Sequence, residues 1–299
     1  MRFLPAFALA AAPLLLANTE PIAIPTQVKA MLDAAIASGN DNEVTTVAKY
    51  ACKAAPEATA TINGLVDAWR KDRAEQHERE LRDAGPFELW HGRVELGGFL
   101  TTGNTGDVGA NGVVDLTRET VRWRNKIHLA ADYQESAGVV SREHYLASYE
   151  PNFKFAPRGY VYGSAQYESD HYLGYDDRYS ASIGAGYSAI KQPRMTLDLE
   201  LGPAFRYTAF TDDTVENSIA ARGSVNFDWK LTGAISVSQI ASAYVEHYNS
   251  TVSSTTAFSA RLIGPLAAKL SYAVQYESMP PVGRVSTDTT SRASLVYAF

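Results

Sequence analysis

Thr290-Ser-Arg-Ala-Ser-Leu-Val-Tyr-Ala-Phe299 ends the chain, and its side chains sort by parity. Ala293, Leu295, Tyr297 and Phe299 fall on one face of an extended segment, whereas Thr290, Arg292, Ser294 and Ala298 fall on the other. Successive residues of a strand point to opposite sides of a sheet. A strand of this kind, repeated around a closed sheet, turns an apolar wall to lipid and a polar wall to an enclosed interior. The segment therefore predicts an all-β fold: a transmembrane antiparallel β-barrel.

Upstream the same alternation recurs. Trp123, Ile127, Leu129, Ala131 and Tyr133 oppose Arg122, Arg124, Lys126, His128 and Asp132. Met195, Leu197, Leu199, Leu201, Phe205 and Tyr207 oppose Asp198, Glu200 and Arg206, and Leu266, Leu270, Tyr272, Val274 and Tyr276 oppose Lys269, Gln275 and Glu277. From Arg93 onward the chain divides into about twelve strands of ~10 residues with short links. The expected spans are 93–102, 107–118, 121–134, 142–151, 158–169, 177–190, 194–208, 216–230, 234–247, 252–263, 266–278 and 287–299. A soluble barrel or sandwich would show the same two faces with inside and outside exchanged. The terminal aromatic, the tyrosine-rich strand ends and an export signal favour the membrane.

Composition agrees with a barrel. The chain has 299 residues, of which 20% are charged and 45% hydrophobic, with 17 Tyr against 11 Phe and 4 Trp. Its mean hydropathy is −0.19, and it contains no apolar run long enough for a spanning helix. A barrel needs none, because only alternate residues meet lipid. The net charge of −6 argues against nucleic acid as a partner. The single cysteine, Cys52, excludes an internal disulfide and reads as a helix-packed residue.

Met1, Arg2 and the apolar stretch Phe3 to Ala17 have the layout of a secretory signal peptide, 1–17, for export through the Sec route. Cleavage is expected after Ala17, with the Ala23 region as a second option because Leu15 is bulky. Residues 25–84 have helical texture and form the expected periplasmic segment. Val28, Met31, Leu32, Ala35 and Ile36 repeat at helical spacing, Gly39 and Asn40 supply a stop, and Asp41 or Asn42 a new cap. Val44, Val47, Ala48 and Ala51 continue the pattern. Pro56 opens a third helix with the stripe Ile62, Leu65, Val66 and Trp69, followed by a solvated charged run, Arg70 to Arg82.

Gly98-Phe-Leu-Thr-Thr-Gly-Asn-Thr-Gly-Asp107, Glu168-Ser-Asp170, Gly174-Tyr-Asp176, Gly184-Ala-Gly-Tyr187, Pro280-Pro281, Thr287-Asp288-Thr289 and Leu295-Val-Tyr-Ala-Phe299 together resemble the salt-induced outer membrane proteins, a domain-of-unknown-function family. The resemblance covers residues 92–299. It implies a barrel in the Gram-negative outer membrane, surrounded by its lipids, with expression linked to salt or osmotic conditions, and it implies no catalytic residue. The C-terminal Leu295, Tyr297 and Phe299 likewise resemble the assembly signal read by the barrel-assembly machinery.

Reactive constellations are sparse. The six histidines show no metal-ligand spacing, so no metal and no cofactor is expected. The run Gly103 to Gly112 reads as a hairpin turn, since a phosphate loop needs a strand-to-helix setting. Asp170, His171, Asp176 and Asp177 read as turn-formers, with a cation site as the alternative. A lipid hydrolase would need His beside Ser, and His128 with Ser148 or His247 with Ser238 are the pairs available on paper.

The expected lumen charges carry more information. Arg124, Lys126, Asp198, Glu200, Arg206, Lys269 and Arg292 lead a set that also includes Asp132, Glu168, Arg222, Asp228, Arg261 and Glu277. In a barrel of about twelve strands the interior is narrow. Such mixed charges either line a small aqueous pore for ions or small solutes or pair across it and close it. The links sort by charge as well. Asp107, Glu135, Asp170, Asp176, Asp177, Asp212, Asp213 and Asp288 mark one rim, and Arg118, Arg122, Lys154, Arg158, Lys191, Arg194 and Lys230 the other.

Overall fold

A computed structural model describes residues 22–101, 107–247, 249–280 and 285–299. The expected signal peptide, 1–17, lies outside the described residues, as does the turn part of the Gly103–Gly112 run. The chain forms two units, divided after Glu80.

The N-terminal unit contains α1 (Thr26–Ser38), α2 (Asp41–Ala54), a 3-10 turn (Pro56–Ala58) and most of α3 (Thr59–Asp83). Its centre is Leu32, Val44, Ala55, Ala58 and Ile62, all fully buried. Val66 closes the core and Leu65, Trp69 and Cys52 pack against it. Gly39 ends α1 in the left-handed region at φ 71°, which suits a residue without Cβ. The cap of α2 is Asn40, not Asp41 or Asn42 as expected: the Asn42 amide donates to the Asn40 side chain at 3.0 Å. Gly39 turns the chain so sharply that its immediate successor already stands at the capping position.

The second unit is a closed ring of twelve antiparallel strands in sequence order. They are β1 (Trp90–Thr101), β2 (Asp107–Glu119), β3 (Trp123–Ser136), β4 (Val139–Lys154), β5 (Gly159–Asp170), β6 (Tyr175–Gln192), β7 (Met195–Phe210), β8 (Val215–Lys230), β9 (Ile235–Val245), β10 (Thr251–Ile263), β11 (Leu266–Glu277) and β12 (Thr287–Ala298). Most ends fall within a few residues of expectation. The largest shifts are of three residues: β1 begins at Trp90, and β4 runs from Val139 to Lys154, its start set by Ala137 and Gly138, which both take positive φ and make a tight hairpin. The chain enters β1 and leaves β12 at the same end. That end carries the links 120–122, 155–158, 193–194, 231–234 and 264–265. The opposite end carries the acidic positions, although Asp107, Glu135, Asp170, Asp176, Asp177 and Asp288 are terminal strand residues rather than loop residues.

The junction of β1 with β12 is short. It pairs only from Arg93↔Ala298 to Gly97↔Ser294, whereas β1 pairs with β2 from Trp90 to Thr101. Reciprocal bonds of 2.9 Å between the backbones of Gly92 and Phe299 extend it to the last residue.

Outward faces are apolar and exposed. Ile219, Leu201, Ile183 and Leu270 expose between 61% and 82% of their surface. Aromatic rows flank this aliphatic band. Trp123 meets Phe153 at 5.2 Å near the short-link end, and Tyr167 meets Tyr179 at 5.1 Å near the other. An aliphatic belt between two aromatic girdles is the exterior of a membrane barrel. Leu199 and Tyr297 are exposed, which is the reverse of the dry centre that a soluble barrel would make of them.

Candidate functional site in the barrel lumen

Inward parity collects the charges. Arg124 reaches Asp198 at 2.9 Å, and Ser188 donates to the same carboxylate at 2.6 Å. Lys126 lies 2.8 Å from Glu150 and 3.8 Å from Glu200. Arg222 joins this group through Glu200 at 3.0 Å and Glu150 at 3.4 Å. Lys269 pairs with Glu95 at 2.6 Å, and Arg292 with Asp132 at 2.6 Å.

Lys126–Glu150 and Arg222–Glu200 join neighbouring strands, but the other ion pairs do not. Arg124 on β3 meets Asp198 on β7, and Arg292 on β12 meets Asp132 on β3. In a closed sheet, side chains from non-neighbouring strands can meet only through the interior.

The most buried such contact lies toward the end with the acidic rim. Arg178 on β6 bridges to Glu277 on β11 at 3.1 Å, nearly straight across the ring, with side chains only 3% and 5% exposed. The guanidinium lies 3.7 Å from the Tyr175 ring centre, and Asn249 donates to the second Glu277 oxygen at 3.0 Å. Beside it, Arg206 stacks 4.1 Å from the Tyr244 ring centre and pairs with Glu246 at 3.0 Å. Ser218 also donates to Glu246. Glu246 lies on the 246–250 link after β9, and burial raises its carboxyl above the ordinary range, against the pull of Arg206. His144 stands between Asp132, at 3.4 Å, and Glu168, at 3.3 Å.

Glycines make room for this packed wall. Tyr160 lies opposite Gly186 and Tyr162 opposite Gly184, so that each ring folds over a position without a side chain. Both tyrosines are buried, and Tyr160 donates to Glu200 at 3.1 Å. The Arg124 and Arg222 guanidinium groups lie over the Tyr160 and Tyr162 rings.

Among the other expected residues, Asp228 and Arg261 lie exposed near the short-link end. Leu295, Tyr297 and Phe299 face outward. Glu95, Asp115, Glu150 and Arg178 were not singled out from the sequence, although each shares a parity with a polar inward neighbour; Arg178 precedes Ser180 and Ser182 on its own face.

The paper pairs for hydrolysis fare differently. His247 lies on the 246–250 link, whereas Ser238 sits well down β9, so the two are not brought together. His128 and Ser148 are in register, and His128 Nδ1 contacts Asp115 at 2.6 Å. No hydrogen bond among the described residues joins His128 to Ser148, and the row faces the lumen instead of lipid. In the Asp170 cluster, Asp170 accepts the Tyr172 and Leu173 amides at 3.0 and 2.9 Å, as a turn-former does.

A family model described as "Protein of unknown function, DUF481" matches residues 94–299. The "Uncharacterized protein YdiY" of Escherichia coli (strain K12) is 26% identical over 216 residues, covering 71% of this chain and 83% of that protein. Among solved structures, a NanC porin aligns with a TM-score of 0.44 and 8% identity over 69% of this chain and 98% of that chain. An outer membrane channel from Pseudomonas putida F1 aligns with a TM-score of 0.44 and 8% identity over 73% and 100%.

Proposed function

The chain belongs to the DUF481 family of proteins of unknown function, and from that premise we propose that it is a narrow outer-membrane pore for ions or small solutes. The observation that supports this reading is the asymmetry of the lumen. Toward the acidic rim Arg178 and Glu277 are almost wholly buried, whereas toward the short-link end Asp115 and His128 keep 27% and 41% of their side chains accessible. The interior is thus hydrated from one end and constricted near the other. In this reading the 25–84 helical segment and the short links lie in the periplasm, after export by the Sec route, and the acidic rim faces out. The resemblance to salt-induced proteins ties expression to salt or osmotic stress, to be tested by transcript measurement after a salt shift.

Planar-bilayer recording of the refolded protein tests the pore. Small single-channel steps are expected, with larger steps for Glu277→Ala. Silence of both proteins across a wide voltage range would sink the reading.

The same reading makes Leu295, Tyr297 and Phe299 the handle for the barrel-assembly machinery. Deleting Phe299 removes the two backbone bonds to Gly92 as well as the terminal aromatic. The folded, heat-modifiable band of the membrane fraction is expected to fall several-fold on SDS gels; an unchanged band would remove the assembly role.

A further inference from the structure

We propose that solutes travel along the β9–β11 side of the lumen, and that this wall favours small neutral polyhydroxylated molecules over ions of the same size. The proposal rests on the pore reading above.

Tyr244 is buried beneath Arg206 and points inward, so Ser242, Ile240, Ser238 and Ser236 share its face by the alternation of a strand. Ile240 nevertheless exposes 47% of its surface. An inward side chain can be that exposed only where the lumen beside it is open. Pairing carries the face from Ser242 to Ser253, from Ile240 to Thr255, and from Ser238 through Ala257 to Ser271. Ala257 is buried, but Ser236, Ser238, Ser242, Ser253, Thr255 and Ser271 are not. The Ser242 and Ser253 hydroxyl oxygens lie 2.8 Å apart.

The opposing wall is of another kind. Tyr160, Tyr162, Arg178, Glu200, Arg206 and Arg222 on β5–β8 are all buried, their charges already taken up: Arg222 pairs with Glu200, Arg178 with Glu277 and Arg206 with Glu246. Open space therefore lies to one side, against hydroxyl groups. A hydroxyl both donates and accepts, so a row of them can exchange hydrogen bonds with a polyol in place of water. Asp228, opposite Ser238, and Arg261 stand exposed toward the short-link end; beyond them, from Ile240 to Ser253, an ion sheds hydration against hydroxyl groups alone, which is the costlier exchange.

Two measurements in proteoliposomes test this, in a Cys52→Ser background. Ser238→Cys and Ser242→Cys are expected to react with a membrane-impermeant methanethiosulfonate reagent. Ser180→Cys and Ser188→Cys, inward but buried on β6, are expected to resist it. In liposome swelling, sorbitol is expected to enter several-fold faster than gluconate or N-methylglucamine, and modification of Ser242→Cys to slow it several-fold. Equal labelling of the two walls, equal or faster entry of the charged solutes, or sorbitol entry unaffected by modification would overturn the proposal while leaving the pore standing. Absence of swelling in all three solutes would overturn the pore reading, and this one with it.

Discussion

Glu277→Ala is expected to destabilise the barrel by about 3–5 kcal/mol, the usual effect of removing one partner from a buried ion pair. The reason is what remains. Arg178 stays charged, wedged against Tyr175 with its side chain 3% exposed, and Asn249 loses its acceptor too. The pair itself need not be strongly stabilising, because taking two charges out of water offsets much of their attraction. The double variant Arg178→Met, Glu277→Met is therefore expected to recover at least half of the single variant's loss. Urea titration in lipid vesicles reads both, with the midpoint and slope separating stability from compactness. A Glu277→Ala barrel within 1 kcal/mol of the parent would mean that Arg178 finds water or another acceptor, and that the bridge does not cross a dry layer. Loss of function is not the expectation here: removing the bridge opens the most buried level of the lumen, so conductance should rise while stability falls.

The second large effect is expected from Gly202→Ala. A methyl group built on Gly202 would stand 2.1 Å from the Ile183 carbonyl oxygen and 2.6 Å from the Gly184 Cα. Both obstacles are backbone, so no side-chain rotation relieves them, and β6 and β7 must separate. Overpacking usually costs ~1–3 kcal/mol and occasionally more, and this site should lie at or above the top of that range. Gly223, on the neighbouring strand, is the control, since its added methyl meets nothing closer than 3.9 Å. Gly186→Ala should fall between the two. Its methyl collides with the Tyr160 ring at 2.1 Å, and Tyr160→Ala in the same chain should restore much of the loss. Equal stability of the Gly202→Ala and Gly223→Ala proteins would refute the close approach of the two strands.

These two cases also show where the sequence is readable. The strands are legible because each outward position must be apolar over the whole height of the belt, which prints a period of two that survives every local irregularity. The glycines Gly184 and Gly202 carry no such signature. One is part of a family motif and the other sits in an ordinary strand, and only the approach of β6 to β7 gives them a common role. Inward charges were legible as a class but not as pairs. Which strand faces which depends on the ring, so that Arg178 and Glu277, 99 positions apart, become partners only once it is closed. Arg178 was within reach of the parity rule but stands on a face that continues as Ser180, Ser182, Gly184 and Gly186, whereas Glu150 and Glu95 have charged neighbours on their own faces, Lys154 and Arg93, and could have been read by that rule. The Asn40 cap was missed by one position because the geometry of Gly39 was needed to place it.

The join between the first and last strands has a temporal meaning. Each of the other junctions links segments that follow one another along the chain, so it can form as the chain is laid down. The remaining one must wait for residues two hundred positions apart, and it is also the briefest. A cylinder made this way is finished by its weakest clasp. Amide protons of Val94 to Gly97 should accordingly exchange sooner than those along β6 and β7, and a lateral force that pries the wall apart should find its opening there.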